Sequence, residues 1–93
     1  MRSYLLVGLG NVGAEYAHTR HNIGFRITGA LAEKHSITGK YTSRFDAIIG
    51  RGEINGTEVL IVQPQTYMNL SGNSVSRVLN WYKLDINSLF VIF

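Results

Sequence analysis

His21, within Thr19-Arg20-His21-Asn22, stands a few residues after the glycine-rich run Gly8-Leu9-Gly10-Asn11-Val12-Gly13. A neutral imidazole can take a proton from water near neutral pH. The glycines let the backbone turn tightly without bulky side chains, and Asn11 brings a carboxamide with two donors and one acceptor oxygen. A second such block is Pro64-Gln65-Thr66-Tyr67-Met68-Asn69-Leu70-Ser71-Gly72, where Asn69 offers another carboxamide. One titratable ring and two uncharged amides suit gripping an ester or a peptide backbone without adding charge. Other chemistries fit less well. No His or carboxylate pair has ligand spacing, and cysteine is absent, so no metal site is expected. Ser71 lies in Leu-Ser-Gly, whereas a nucleophile elbow requires G-x-S-x-G.

Gly8-x-Gly10-x-x-Gly13 also matches the dinucleotide fingerprint letter for letter. That motif needs a helix starting inside the turn and an acidic residue about 20 positions on, at the end of a parallel strand. The matching acid here is Glu33, inside a helical pattern, and the helix signal starts several residues too late. A tight turn explains these glycines better than a pyrophosphate site does.

The elements that must position these groups follow from apolar periodicity. Tyr4 to Leu9 reads as a strand buried on both faces, and residues 10 to 18 as a loop. Thr19 is the expected cap of a helix with Ile23, Ile27, Ala30 and Leu31 on its inner face. That cap puts His21 in the first turn, where the helix dipole disfavours imidazolium. Gly24 and Gly29 weaken the helix, which points to close packing at both. His18 and His35 are expected to be exposed. Ser36 to Ser43 reads as a polar connection. Phe45 to Glu53 and Thr57 to Gln63 flank Asn55-Gly56, a strong hairpin signal, and Val59 to Val62 should be an interior strand. Val75, Val78, Leu79 and Tyr82 mark a second helix starting near Asn69 or Ser71. Asp85 to Ser88 is a turn, and Leu89 to Phe93 starts another buried strand. The expected class is α/β, a mixed twisted sheet with helical crossovers, cut after the fourth strand.

The chain has 93 residues, 45% of them hydrophobic, with one proline, which suits one small packed domain or part of one. Its net charge of +3 is compatible with a polyanionic partner but contains no dense basic run. No run approaches the ~20 apolar residues of a membrane span, and glycines interrupt the N-terminal apolar stretch too early for a signal peptide. A cytoplasmic protein is expected. Residue types alone favour a structural role for His21, and favour a turn for Asn11 and a helix cap for Asn69 over substrate binding.

Leu6 to Phe25 resembles the signature of bacterial peptidyl-tRNA hydrolases, and Pro64 to Gly72 resembles that family's other N-terminal motif at a matching separation. The resemblance covers the whole chain and about the first half of the family's domain, so residues 1–93 are expected to form the N-terminal part of a single such α/β domain. It implies hydrolysis of the ester bond of peptidyl-tRNA, releasing peptide and free tRNA, with His21 as general base. Asn11, Tyr16, Met68 and Asn69 would bind substrate. No cofactor or metal is implied, the partner is peptidyl-tRNA and no membrane, and full-length members are expected to be monomers. In the family an aspartate that holds the histidine follows the last strand immediately, past Phe93. Another active-site asparagine and the basic groups clamping the tRNA phosphate lie further on. A chain with the family's first half alone is expected to be poorly stable and nearly inactive. Two other readings are a non-catalytic RNA-binding protein on the same fold, as in a chloroplast intron-splicing factor, and a non-functional truncated product.

Overall fold

The computed structural model describes residues 3–10, 22–67 and 70–92. Its elements are β1 (Ser3–Gly8), α1 (Ile23–Lys34), β2 (Gly39–Thr42), β3 (Ala47–Ile54), β4 (Thr57–Pro64), α2 (Ser71–Tyr82), a 3₁₀ turn (Ile86–Ser88) and β5 (Leu89–Ile92). The strands form one sheet in the order β2-β3-β4-β1-β5. β1 pairs in parallel with β4 and β5, whereas β2/β3 and β3/β4 are antiparallel. Parallel neighbours need crossovers, which the two helices supply. The α/β class and the mixed sheet are therefore as expected, but with five strands.

The hairpin forms where Asn55-Gly56 pointed. Asn55 (φ 51°) and Gly56 (φ 82°) both take the left-handed conformation that a two-residue turn demands, with Ile54 paired to Thr57. β4 is interior, and Val59 to Val62 are all buried. Because side chains alternate along a strand, each face of the sheet has its own core. Leu5, Val7, Leu60 and Val62 meet Val78 of α2, with Val75, Leu79 and Tyr82 packed alongside. On the other face Val59 and Ile61 meet Ile37, with Ala32 of α1 against them. Both helices end in a left-handed residue, Ser36 or Lys83, followed by a bond that satisfies a last-turn carbonyl. These are Ile37 N–H to Ala32 O (2.8 Å) and Leu84 N–H to Leu79 O (2.9 Å).

Several expectations are corrected. Gly39–Thr42, read as connection, is the edge strand β2; it is mostly exposed, so no alternation marks it. Phe45 is buried in the turn before β3, not in the strand. α1 starts at Ile23 with Asn22 at the cap, so its first turn follows His21 in sequence; Thr19 and His21 themselves lie outside the described residues. The inner face of α1 is not the isoleucine stripe: Gly24 and Thr28 are buried, while Ile23 and Ile27 are 37% and 44% exposed. Gly24 is packed as expected, since a Cβ there would run into the backbone of Leu9 and Ile92. Gly29 is exposed, with Gln63 Nε2 3.8 Å from any added Cβ, so close packing does not explain it. His35, expected on the surface, is half-buried at the end of α1. α2 does start at Ser71, with Leu70 in the cap position. β5 is an edge, and Phe90 and Val91 are exposed instead of buried.

Candidate active site at the ends of the parallel strands

Because β4, β1 and β5 are parallel, their C-terminal ends share one rim, the usual place for a ligand in an open α/β sheet. His21, Asn11 and Tyr16 belong to residues 11–21, and Met68 and Asn69 form the other break; all five lie outside the described residues. What is described is how both segments are anchored, and every anchor is on this rim.

The first segment leaves and returns at the tip of β1. Leu9 N–H donates to Ile92 O (2.9 Å), tying that tip to β5. A Cβ on Gly10 would lie 2.7 Å from the Phe25 ring and 2.9 Å from Asn22 Oδ1, so the chain before residue 11 lies against the chain after residue 21. Asn22 is buried at the cap of α1. Sequence reasoning quoted it beside His21 without giving it a role; its burial makes it the residue that returns this segment to β1. α1 is fixed over the tip by hydrogen bonds as well as contact. Thr28 Oγ1 donates to Gly24 O (2.7 Å), while Gln63 Nε2 on β4 donates to Phe25 O (3.1 Å) and Thr28 Oγ1 (2.9 Å). α1 starts at Ile23, 13 residues after Gly10 in sequence, later than the helix of a dinucleotide site begins.

The second segment hangs from β4. Gln65 N–H donates to Asp46 O (2.8 Å), and Leu70 N–H closes back on Tyr67 O (2.8 Å) across Met68 and Asn69. Asp46, Gln65, Thr66, Tyr67 and Leu70 line an open cavity of about 470 Å³. Thr66 was not singled out from sequence. It is buried, and among the described residues its hydroxyl meets no hydrogen-bond partner. On the other side of the α2 start an apolar cavity of about 360 Å³ lies between Leu9, Val91, Ser71 and Val75. A third cavity of about 320 Å³ lies under α1 between Thr28, Ala32 and Gln63.

Tyr41 donates its phenol hydrogen to Asp46 Oδ1 (2.7 Å), and that bond holds the phenol above its usual range. Glu58 is held below the usual carboxylate range by Ser3 and Arg51, at the opposite end of β4. Among the described residues no cluster of His, Cys, Asp or Glu could hold a metal ion, and no helix is long and apolar enough to cross a membrane.

The family model described as peptidyl-tRNA hydrolase matches residues 5–93, both motif blocks included. This chain belongs to the peptidyl-tRNA hydrolase family. It is 51% identical over 89 residues to a peptidyl-tRNA hydrolase of Syntrophomonas wolfei, covering 96% of this chain and 48% of that one. With one from Agathobacter rectalis the identity is 54% over 91 residues, covering 96% and 47%. A crystal structure of peptidyl-tRNA hydrolase from Acinetobacter baumannii superposes with a TM-score of 0.91 at 45% identity, over 95% of this chain and 45% of that one. The chain thus spans about half the length of the curated relatives it matches.

Proposed function

We propose that this chain serves the hydrolysis of the ester joining a peptide to the 3′ end of tRNA, as the N-terminal part of a single peptidyl-tRNA hydrolase domain. The observation that carries the reading is the family match across residues 5–93, which takes in both motif blocks. Water attacks the ester carbonyl, and His21 takes its proton through a ring nitrogen. Carboxamide donors stabilise the oxyanion that develops, and Asn11 and Asn69 are the side chains we assign to gripping the substrate. Collapse of the tetrahedral intermediate breaks the bond to the ribose oxygen, which leaves with the proton that His21 returns. Free tRNA and a peptide carboxylate result. Tyr16 and Met68 form an apolar wall for the peptide or the terminal adenosine. No metal or cofactor enters this scheme, and a substrate made by ribosomes sets the work in the cytoplasm, by a monomer.

Support for these roles comes from the anchors. Leu9, Gly10 and Asn22 hold one segment, Gln65, Tyr67 and Leu70 the other, and all six belong to the same rim. Asn11→Ala and Asn69→Ala, made within a full-length family domain and assayed with N-blocked aminoacyl-tRNA, test the assignment. Loss of an oxyanion donor costs about 2.7–4 kcal/mol of transition-state stabilisation, so kcat/KM should fall roughly 100- to 1000-fold while the melting temperature stays within a few degrees. A lower melting temperature with intact kinetics would make that asparagine structural.

A further inference from the structure

Arg44, in the turn before β3, sits over the indole of Trp81, with its guanidinium carbon 3.9 Å from the ring centroid. Arg77, one turn earlier on α2, reaches the same spot. Its Nη1 donates to Arg44 O (3.1 Å) and its Nε to Asn73 O (3.3 Å). Two guanidinium groups therefore converge on one exposed surface. Neither has a carboxylate partner: among the described residues the ion pair is Arg51 with Glu58, and Asp46, two residues from Arg44, already accepts from Tyr41. Trp81 itself is 55% exposed. A single stacked Arg would serve as a staple between turn and helix. A second, unneutralised Arg anchored to the first one's carbonyl adds repulsion that a staple does not need.

The surface borders the rim. Asp46, in the same turn as Arg44, accepts the Gln65 N–H that anchors the segment carrying Met68 and Asn69. At 1.5 Å per residue, Arg77 lies about 9 Å and Trp81 about 15 Å along α2 from its start at Ser71. Tyr67, 79% exposed, lines the rim cavity together with Asp46. Planar cations beside aromatic rings are what an RNA strand meets: phosphates pair with the guanidinium edges, and unstacked bases lie on the guanidinium or ring faces. An acidic peptide would use the charge and leave the planar faces idle.

We propose that Arg44, Arg77 and Trp81 form an RNA-contact platform, which holds the backbone of the strand leading to the 3′ ester. The proposal rests on the peptidyl-tRNA reading for the identity of that RNA. Trp81 is the only tryptophan in the sequence, so its emission reports on the platform directly. The experiment titrates this sequence within a full-length family domain, in which Trp81 is kept as the sole tryptophan, with fluorescein-labelled deacylated tRNA at several salt concentrations, reading anisotropy and Trp81 emission together. Emission should change in step with anisotropy. In the double variant Arg44→Gln/Arg77→Gln the slope of log K against log salt should fall by about 1.4–1.8, two phosphate contacts at roughly 0.7–0.9 each. Arg44→Lys/Arg77→Lys should keep most of the slope, which separates loss of charge from loss of folding. Arg26→Gln, on exposed α1, should change nothing. The proposal is overturned by an unchanged slope in the Gln pair, by absent binding, by saturation without a change in Trp81, or by equal competition from polyglutamate. Deacylated tRNA carries no ester, so a failure here is separate from a failure of hydrolysis.

Discussion

α1 and α2 are each 12 residues long and cover opposite faces of one sheet by different means. α2 inserts bulky side chains: Val78 is fully buried, and Val75, Leu79 and Tyr82 pack beside it. α1 instead brings its backbone down on the strands. Its buried residues are Gly24 and Thr28, and Gln63 reaches up to bond it while two of its isoleucines face out. Apolar packing tolerates small shifts, whereas a backbone set directly against the Leu9 and Ile92 main chains does not. The tighter helix is the one whose N-terminus adjoins the segment carrying His21. Precision at the rim therefore comes from close approach and hydrogen bonds, and bulk stability comes from the α2 face.

The sharpest way to break this contrast is to change one side chain in each kind of contact, adding a methyl under α1 and removing methyls under α2. Gly24→Ala should destabilise by about 3 kcal/mol, the upper end of the usual cost of overpacking, because the new Cβ meets main chain that cannot rotate away. Thermal or urea unfolding measures it, and a neutral Gly24→Ala would show that α1 can slide. Val78→Ala, which empties the α2 face, should cost about 2 kcal/mol in the same assay, through lost transfer energy and an unfilled cavity.

These two sites also show what the sequence made legible. Val75, Val78, Leu79 and Tyr82 follow helical spacing because side-chain packing is what periodicity records. Asn55-Gly56 announced its hairpin because few residues accept φ above zero twice in succession. α1 misled because a helix packed through glycine and threonine writes no apolar stripe, and Ile23 and Ile27 wrote a false one. β2 escaped notice for a similar reason: Gly39-Lys40-Tyr41-Thr42 pairs through its backbone while its side chains stay mostly in water. The motif blocks were legible through resemblance, yet the rim's anchors were not. A buried Asn22, a buried Thr66 and the Asp46–Gln65 bond are products of tertiary contact, which no local spacing encodes.

Smaller effects refine the comparison. Gly29→Ala lies on the same helix as Gly24 but in ordinary contact, so it should stabilise by about 0.5–1 kcal/mol through helix propensity and a less flexible unfolded chain. A destabilised Gly29→Ala would mean that the close approach of α1 extends along its length. Least of all should be the contribution of Glu58, outside both helix layers. Its carboxyl is held low by Ser3 and Arg51, so the stability it lends is present above the ordinary carboxylate range and lost as pH falls through its lowered folded pKa. Glu58→Gln should flatten that acid limb in unfolding curves taken from pH 6 downward, and an unchanged limb would show that the bonds to Glu58 do not form in solution.

The central claim is that His21, carried by the segment anchored between Gly10 and Asn22, is the base of an ester hydrolase. Turnover of N-blocked aminoacyl-tRNA by this sequence within a full-length family domain tests it most directly, with His18→Ala, His21→Ala and His35→Ala compared side by side. Losing the base should lower kcat about 100- to 10,000-fold for His21→Ala, with the fold retained by circular dichroism, while the other two variants stay near the parent. Near-normal turnover by a folded His21→Ala domain would contradict the account.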